Sequence, residues 1–462
     1  MRTFCMREIA EVTGGRMISG TENALVQRVS KDSRDVTLDT LFFALIGQNH
    51  DAHEFLPQVL TNGCGNWVVS NQDAIHFDGA DNANVVLVED TQTALISLAV
   101  FALDEMKTIK IGVTGSVGKT STKDMVYAVC SQQYKTGKTQ ANLNTNIGIS
   151  MCILDFKPDT KVAVLEMGTD HPGEIDQVVR VFKPHIGLIT NIGQSHLENF
   201  GTREAIYHAK MEIANYFTSD DLLIIQQGQD FLRKEQIESS YRIQSVGTEE
   251  TNDFVVSGIV ITNNLGTEFD LAYQGESAHF NLPVLGIHHA MNAAHAVAVG
   301  VEVGIPLADA ARGLCGLQLT AGRLDVKSEK GLMDSVIIDD AYNASPDSMR
   351  SGIKTLLSME GPRKVAILGD MFELGEQTRE YHREIGKFAS NAGVDLILGV
   401  GDLAKDLVEA AGPKAKHFET KQDLISALPQ LIHQNDVILI KASRGMALEE
   451  VVEYLLSTKE NQ

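Results

Sequence analysis

The residues IGVTGSVGKTST, 111–122, decide the fold. A short apolar strand, Lys110 to Val113, meets a glycine-bearing turn, and Gly118-Lys119-Thr120 opens a helix. That layout suits nucleotide phosphates. Glycines let the backbone approach, amide N–H groups line the turn, Lys119 can reach the outer phosphates, and the Thr120 hydroxyl can ligate Mg²⁺. Val113 stands where the first glycine of G-x-x-x-x-G-K-[ST] belongs, with Gly112 and Gly115 nearest to it. An unliganded glycine-rich turn is the competing reading, but GK[ST] directly after an apolar strand is rarely idle. The expectation is an enzyme that uses ATP or GTP.

Working outward, 462 residues exceed one core and predict three domains. A net charge of −22 argues against a nucleic-acid or anionic-membrane partner. Five scattered cysteines without CxxC spacing (Cys5, Cys64, Cys130, Cys152, Cys315) read as reduced, buried thiols of a cytoplasmic protein. No segment approaches the ~18 apolar residues of a membrane helix, and the first residues lack a secretory h-region.

The fold class is α/β, in three domains. Residues 1–85 form a small mixed block around DSR (32–34) and LFFALIG (41–47). Residues 86–319 form a central doubly wound ATPase domain, entered through a helix near Thr91–Glu105. Its VAVLEMG (162–168), HIGLITNIG (185–193) and DLLIIQ (221–226) runs predict buried parallel strands, with an antiparallel insert at 245–285. Residues 320–462 form a Rossmann-like domain with strands at SVIIDDAY, KVAILGDM, DLILGVG and DVILIKAS. There Ser345 and Pro346 predict a helix start, with Met349, Ile353, Leu356 and Leu357 on one face.

Ligands of doubly wound sheets sit outside the strands' carboxyl ends, where several chemistry-bearing residues fall. Glu166 is an acidic partner for Mg²⁺ on a neighbouring strand. Asn144, His196 and Lys210 each have a bland alternative as cap, satisfied polar residue or solvated helix face. In the last domain, Asp339 or Asp340 can take a ribose hydroxyl, and Lys441 or Arg444 a carboxylate or phosphate. Asn292 can both donate to and accept from a purine edge.

These strings resemble the ATP-dependent Mur ligases of peptidoglycan synthesis. TGSVGKT (114–120), EMG (166–168), NIGQSHLE (191–198), Ala209-Lys210, and Asn292 with Arg323 carry the general resemblance. DSR, LFFALIG and Asp51-Ala52-His53 are similar to the N-terminal domain that holds the UDP-sugar. DDAYNASP and LGDMFELGE are similar to the D-alanyl-D-alanine-adding member, and the Asp-Asn-Pro-Arg string of the preceding step is absent.

The resemblance implies a cytoplasmic, monomeric ligase joining D-alanyl-D-alanine to UDP-N-acetylmuramoyl-tripeptide through an acyl phosphate. Its cofactors would be ATP and two Mg²⁺ ions. Thr114, Gly115, Ser116, Val117, Gly118, Lys119 and Thr120 would cradle the phosphates. Thr120 and Glu166 would hold one Mg²⁺, and His196 another. Lys210 would carry a CO₂-derived carbamate, because a bare ammonium cannot bind Mg²⁺. Lys119, Glu166, His196 and Lys210 would thus be the catalytic set. Asn292, Arg323 and Asp340 would contact the nucleotide. Asp32, Ser33 and Arg34 would lie at the UDP-sugar end, and Asn144, Tyr342, Asn343, Ser443 and Arg444 against substrate.

Thr145, Ala52, Ser345 and Ala442 replace the family's usual Asn, Gly, Asn and Gly, and none of them is a proposed ligand. The alternatives are a third-residue-adding or folylpolyglutamate ligase, a non-catalytic nucleotide-binding homologue, and a small-molecule kinase. Intact Lys119, Thr120, Glu166, His196 and Lys210 argue against lost turnover.

Overall fold

The computed structural model describes residues 2–228, 230–262, 266–320, 322–327 and 329–457. The chain divides into two compact units, residues 1–112, 134–168 and 176–185 in one, and 113–133, 169–175 and 186–462 in the other.

In the first unit a five-stranded sheet has the order 16–19, 84–87, 66–69, 40–43, 28–30. The last four strands are parallel, and 16–19 is antiparallel to its neighbour. Phe42, Trp67, Val69 and Val85 fill a core of their own there. The expected helix runs Thr91–Met106, with Asp90 as its cap accepting from Thr93 N at 2.7 Å. It feeds strand β1, Ile109–Thr114, whose last two residues belong to the second unit. Strand β2, Val162–Glu166, is buried throughout and parallel to 136–138.

In the second unit, helix α1, Lys119–Cys130, begins at Gly118. Strand β3, Ile186–Ile189, and strand β4, Leu222–Gln226, pair in parallel, and 242–247 and 254–261 continue that direction. Only then does the sheet turn antiparallel, through 267–273 and 276–282. The insert expected as wholly antiparallel is therefore entered through a parallel pair. Helix α2 (Leu197–Phe200), helix α3 (Arg203–Met211) and helix α4 (His288–Glu302) follow the strand ends.

The last block is a six-stranded sheet ordered 325–326, β5 (Val336–Asp340), β7 (Val437–Lys441), β6 (Lys364–Gly369), 396–400, 415–418. All pairs are parallel except the first. Two apolar clusters cover it, one built on Met349, Ile353, Leu356 and Leu439, the other on Ile367, Leu398, Ile438 and Val451. Helix α5, Pro346–Ser358, starts as its sequence dictates: Ser345 and Ser348 form a capping box behind Pro346.

The four unusual residues are accommodated. Thr145 caps the 146–154 helix, as an asparagine would, and Ser345 caps α5. His53 is oriented across Ala52 by Asp51 at 2.6 Å and accepts from Ser70 N at 2.9 Å. Ala442 packs where a Cβ on Gly369 would come within 2.6 Å. Among the described residues no disulfide forms, but the reading of all five cysteines as buried needs correcting. Cys315 is exposed and Cys5 half-buried.

Candidate active site

The turn after β1 is held open by its neighbours. Gly115 (φ 143°) and Gly118 (φ 87°) occupy backbone that L side chains rarely adopt. A Cβ on Gly115 would lie 1.9 Å from Thr190 Oγ1, and one on Gly118 3.0 Å from Asn292 Oδ1. The residues after β3 knit the loop. Asn191 Oδ1 accepts from Val117 N at 2.9 Å and its Nδ2 donates to Val117 O at 2.8 Å. Thr190 Oγ1 donates to Val117 O at 2.7 Å, and Ser116 Oγ accepts from Gly193 N at 2.8 Å. Lys119 Nζ folds back to Gly115 O at 2.7 Å, the carbonyl end of the cradle it would leave for a phosphate.

Around this loop the second unit gathers further predicted residues. Asn292 on α4 is buried against Gly118, and its Nδ2 finds no hydrogen-bond partner among the described residues. The Thr114 hydroxyl is in the same condition. His196 takes a left-handed turn (φ 58°) immediately before α2. Its Nδ1 lies 2.5 Å from Glu373 Oε2, although the ring N–H does not point along that line, so the pairing is electrostatic in the first instance. Burial, then the charge of Lys119, hold His196 below its ordinary range, against the pull of Glu373. Lys210 on α3 is 2 % exposed, and burial followed by the charge of Lys119 holds it well below the usual lysine value. The side chain of Thr202 caps that helix by accepting from Ala205 N at 3.1 Å.

A second group sits at the carboxyl ends of β5 and β7. Lys441 Nζ donates to Asp340 Oδ2 at 2.6 Å and to Asn343 O at 2.9 Å, so two residues read separately as ligands hold each other. Tyr342 lies between two guanidinium groups, Arg323 at 4.3 Å and Arg444 at 5.6 Å. Arg323 Nε is buried without a hydrogen-bond partner among the described residues. Ser443 Oγ accepts from Phe372 N at 2.9 Å, and Asn343 Oδ1 from Ala344 N at 2.8 Å.

In the first unit Glu166 is buried at the end of β2, with Oε1 3.4 Å from Asn144 Nδ2. Asp32 and Arg34 form a two-pronged pair, Nε at 2.9 Å and Nη2 at 2.7 Å, and Ser33 donates to Gln58 Oε1 at 3.3 Å. The Arg34 guanidinium holds the Asp32 carboxyl well below the usual carboxylate range.

Residues 113–300 match the model of the Mur ligase middle domain, and residues 322–444 that of the Mur ligase glutamate ligase domain. The UDP-N-acetylmuramoyl-tripeptide–D-alanyl-D-alanine ligase of Bacillus subtilis (strain 168) is 38 % identical over 466 residues, covering 98 % of each chain. The chain belongs to the Mur ligase family. A MurF structure from Acinetobacter baumannii superposes with a TM-score of 0.89 at 31 % identity, over 99 % of both chains. MurF ligase from Thermotoga maritima in complex with ADP gives 0.81 at 28 % identity, over 94 % of this chain and 98 % of that one. The three-domain α/β architecture of these Mur ligases is that of this chain.

Three residues left unassigned by the sequence reading contact the phosphate loop or the turn that carries His196: Asn191, Glu373 and Asp347. Asp347 Oδ2 accepts from Gln194 N at 3.3 Å. The signal for Asn191 was present, since it follows β3 as closely as Glu166 ends β2. For Asp347 and Glu373 no local pattern exists, because their partners lie some 150 or more positions away in sequence.

Proposed function

We propose that this chain is an ATP-dependent amide ligase that adds D-alanyl-D-alanine to UDP-N-acetylmuramoyl-tripeptide in peptidoglycan precursor synthesis. The observation that carries the reading is full-length similarity to ligases of that name, joined to a glycine-bearing loop with Lys119 and Thr120 at its helix start. Residues 1–85 take the UDP-sugar end, 86–319 the ATP, and 320–462 the incoming dipeptide. Among the described residues no helix is long and apolar enough to cross a membrane. A cytoplasmic monomer fits soluble substrates.

The tripeptide carboxylate attacks the γ-phosphorus of ATP, and ADP leaves. The dipeptide amine then attacks the acyl carbon, loses its proton, and phosphate departs. Lys119 and the loop amides offset charge on the transferring phosphoryl group, and positioning does most of the remaining work. Taken singly, Thr120 offers a buried hydroxyl and Glu166 a buried carboxylate, oxygen donors of the kind Mg²⁺ takes, and His196 offers an imidazole. When bound, Mg²⁺ would neutralise phosphate charge. Lys210 fits as its carbamate. Burial favours the neutral amine, the species that adds CO₂, and the product is anionic where the ammonium was repelled by Lys119.

Asn292 and Arg323 have unused donors for the nucleotide, with Tyr342 and Asp340 next to Arg323; Asn343, Ser443 and Arg444 are assigned to the peptide substrates, and so, in the first unit, is Asn144. The test is phosphate release with Mg·ATP, UDP-N-acetylmuramoyl-tripeptide and D-alanyl-D-alanine, omitting each in turn. Phosphate and a UDP-pentapeptide formed only with all three support the assignment. Turnover with a single amino acid instead would move the chain to the preceding ligation step.

A further inference from the structure

The LGDMFELGE loop reaches from the last block onto the turn that carries His196. Its base is fixed at home: Met371 N donates to His382 Nε2 at 3.0 Å and Phe372 N to Ser443 Oγ at 2.9 Å. Its tip lies elsewhere. Glu373 O accepts from Glu198 N at 3.2 Å, and a Cβ on Gly375 would stand 3.3 Å from Glu198 Cα. Glu373 Oε2 faces His196 Nδ1 at 2.5 Å. Glu373 and His196 are both in left-handed backbone, φ 63° and 58°. Non-glycine residues hold that conformation only where surrounding structure imposes it, most often at functional sites.

An ionised carboxylate only accepts. A carboxylate oxygen 2.5 Å from Nδ1 favours the tautomer with the proton on Nδ1, which leaves the Nε2 lone pair free. This is the outer-shell arrangement that sets tautomer and ring direction of a metal-ligating histidine. Glu373 is half-exposed, so a small rotation of its carboxylate brings the N–H into line. We infer that Glu373 is a positioning residue which presents His196 Nε2 as a metal ligand, and does so only while the 371–375 loop is docked on α2. The inference rests on the ligase reading, in which His196 holds the second Mg²⁺. It makes metal occupancy report on docking of the block proposed to bring the dipeptide.

The experiment is a Mn²⁺ titration followed by electron paramagnetic resonance, on the full chain with a non-hydrolysable ATP analogue. Wild type should bind two ions. Glu373→Ala should weaken one of them about 10- to 100-fold and leave the other unchanged, which also shows that the variant is folded. Glu373→Gln, whose amide oxygen still accepts from Nδ1, should recover most of that loss. Glu373→Ala combined with His196→Ala should bind no more weakly than His196→Ala alone. A Glu373→Ala isotherm identical to wild type, additive losses in the double variant, or a single ion in wild type would each overturn the inference. Failure of the ligase reading is separate: wild type would then form no UDP-pentapeptide.

Discussion

Two lysines of the second unit are equally buried, each 2 % exposed, and they are held in opposite ways. Lys441, at the end of β7, gives its protons to Asp340 at 2.6 Å and to Asn343 O at 2.9 Å. Lys210, on α3, has no carboxylate at ion-pair distance among the described residues, and faces the repulsion of Lys119. The first is a strut whose hydrogen-bond partners answer its burial. In the second, burial and then the charge of Lys119 favour the neutral amine, against the pull of Glu212. Burial alone does not separate the two lysines; the counter-charge does.

Removing the strut should have the largest effect. Lys441→Met leaves buried Asp340 with only the Leu324 N–H and the charge of Arg323, among the described residues, to answer it, and breaking a buried pair costs about 3–5 kcal/mol. Urea unfolding should show that loss, with the slope unchanged. A midpoint equal to wild type would mean that Asp340 is already protonated and the pair is not ionic. Burial does push Asp340 upward, against Lys441 and Arg323, so the measurement is a real contest.

The reactive lysine is tested by activity. Lys210→Ala should lower turnover by about 10²–10³-fold, the scale for losing one preorganised charge-stabilising group. Short carboxylates such as acetate should restore part of it by standing in for the proposed carbamate. They should do nothing for Lys441→Met. Growth with ¹³C-bicarbonate should place label on Lys210 and none on Lys441. Wild-type turnover in Lys210→Ala would remove Lys210 from the mechanism.

What the sequence disclosed follows the same division. Every element built from local signals was legible: the phosphate turn, the buried runs that became β2 to β7, and α5 with its Ser345 cap. The candidate ligands followed from the rule that chemistry clusters just past strand ends. Pairings between distant elements were not legible. Asp340 and Lys441 are 101 positions apart and were read as separate ligands, yet they satisfy each other. Nothing in YHAKMEIA announces that Lys210 is buried, since an amphipathic helix can carry a lysine on its wet face. The contact of Glu373 with His196 needs the register of two separate sheets, which no window of sequence contains.

Acid sharpens the comparison with a third kind of buried base. His288 and His295 are held at about 4 and His289 well below its ordinary value, in each case first by burial. Their ordinary value is 6.5. Below 6.5 the unfolded chain takes up protons that the folded chain refuses until about 4. Stability is therefore fully present above 6.5 and is lost as pH falls towards 4, by up to about 1.4 kcal/mol per pH unit for each histidine. Denaturant midpoints at pH 7, 6 and 5 should fall in that order. His295→Gln should flatten the slope, and an unchanged slope would show that His295 is not buried as neutral imidazole.

The smallest effect joins the strut to these histidines. His288 Nδ1 lies 2.8 Å from Ser351 Oγ on α5, and the positive charge of Lys441 is the second cause of its low value, after burial. In Lys441→Met that charge is gone while the burial remains. The His288 titration, followed by imidazole NMR, should therefore rise from about 4 yet stay below 6.5. The same shift should be absent in Lys210→Ala, because Lys210 is not among the charges that act on His288. No rise in Lys441→Met would mean that the Asp340 carboxylate cancels the ammonium completely at that distance, and that the strut is electrically silent to its surroundings.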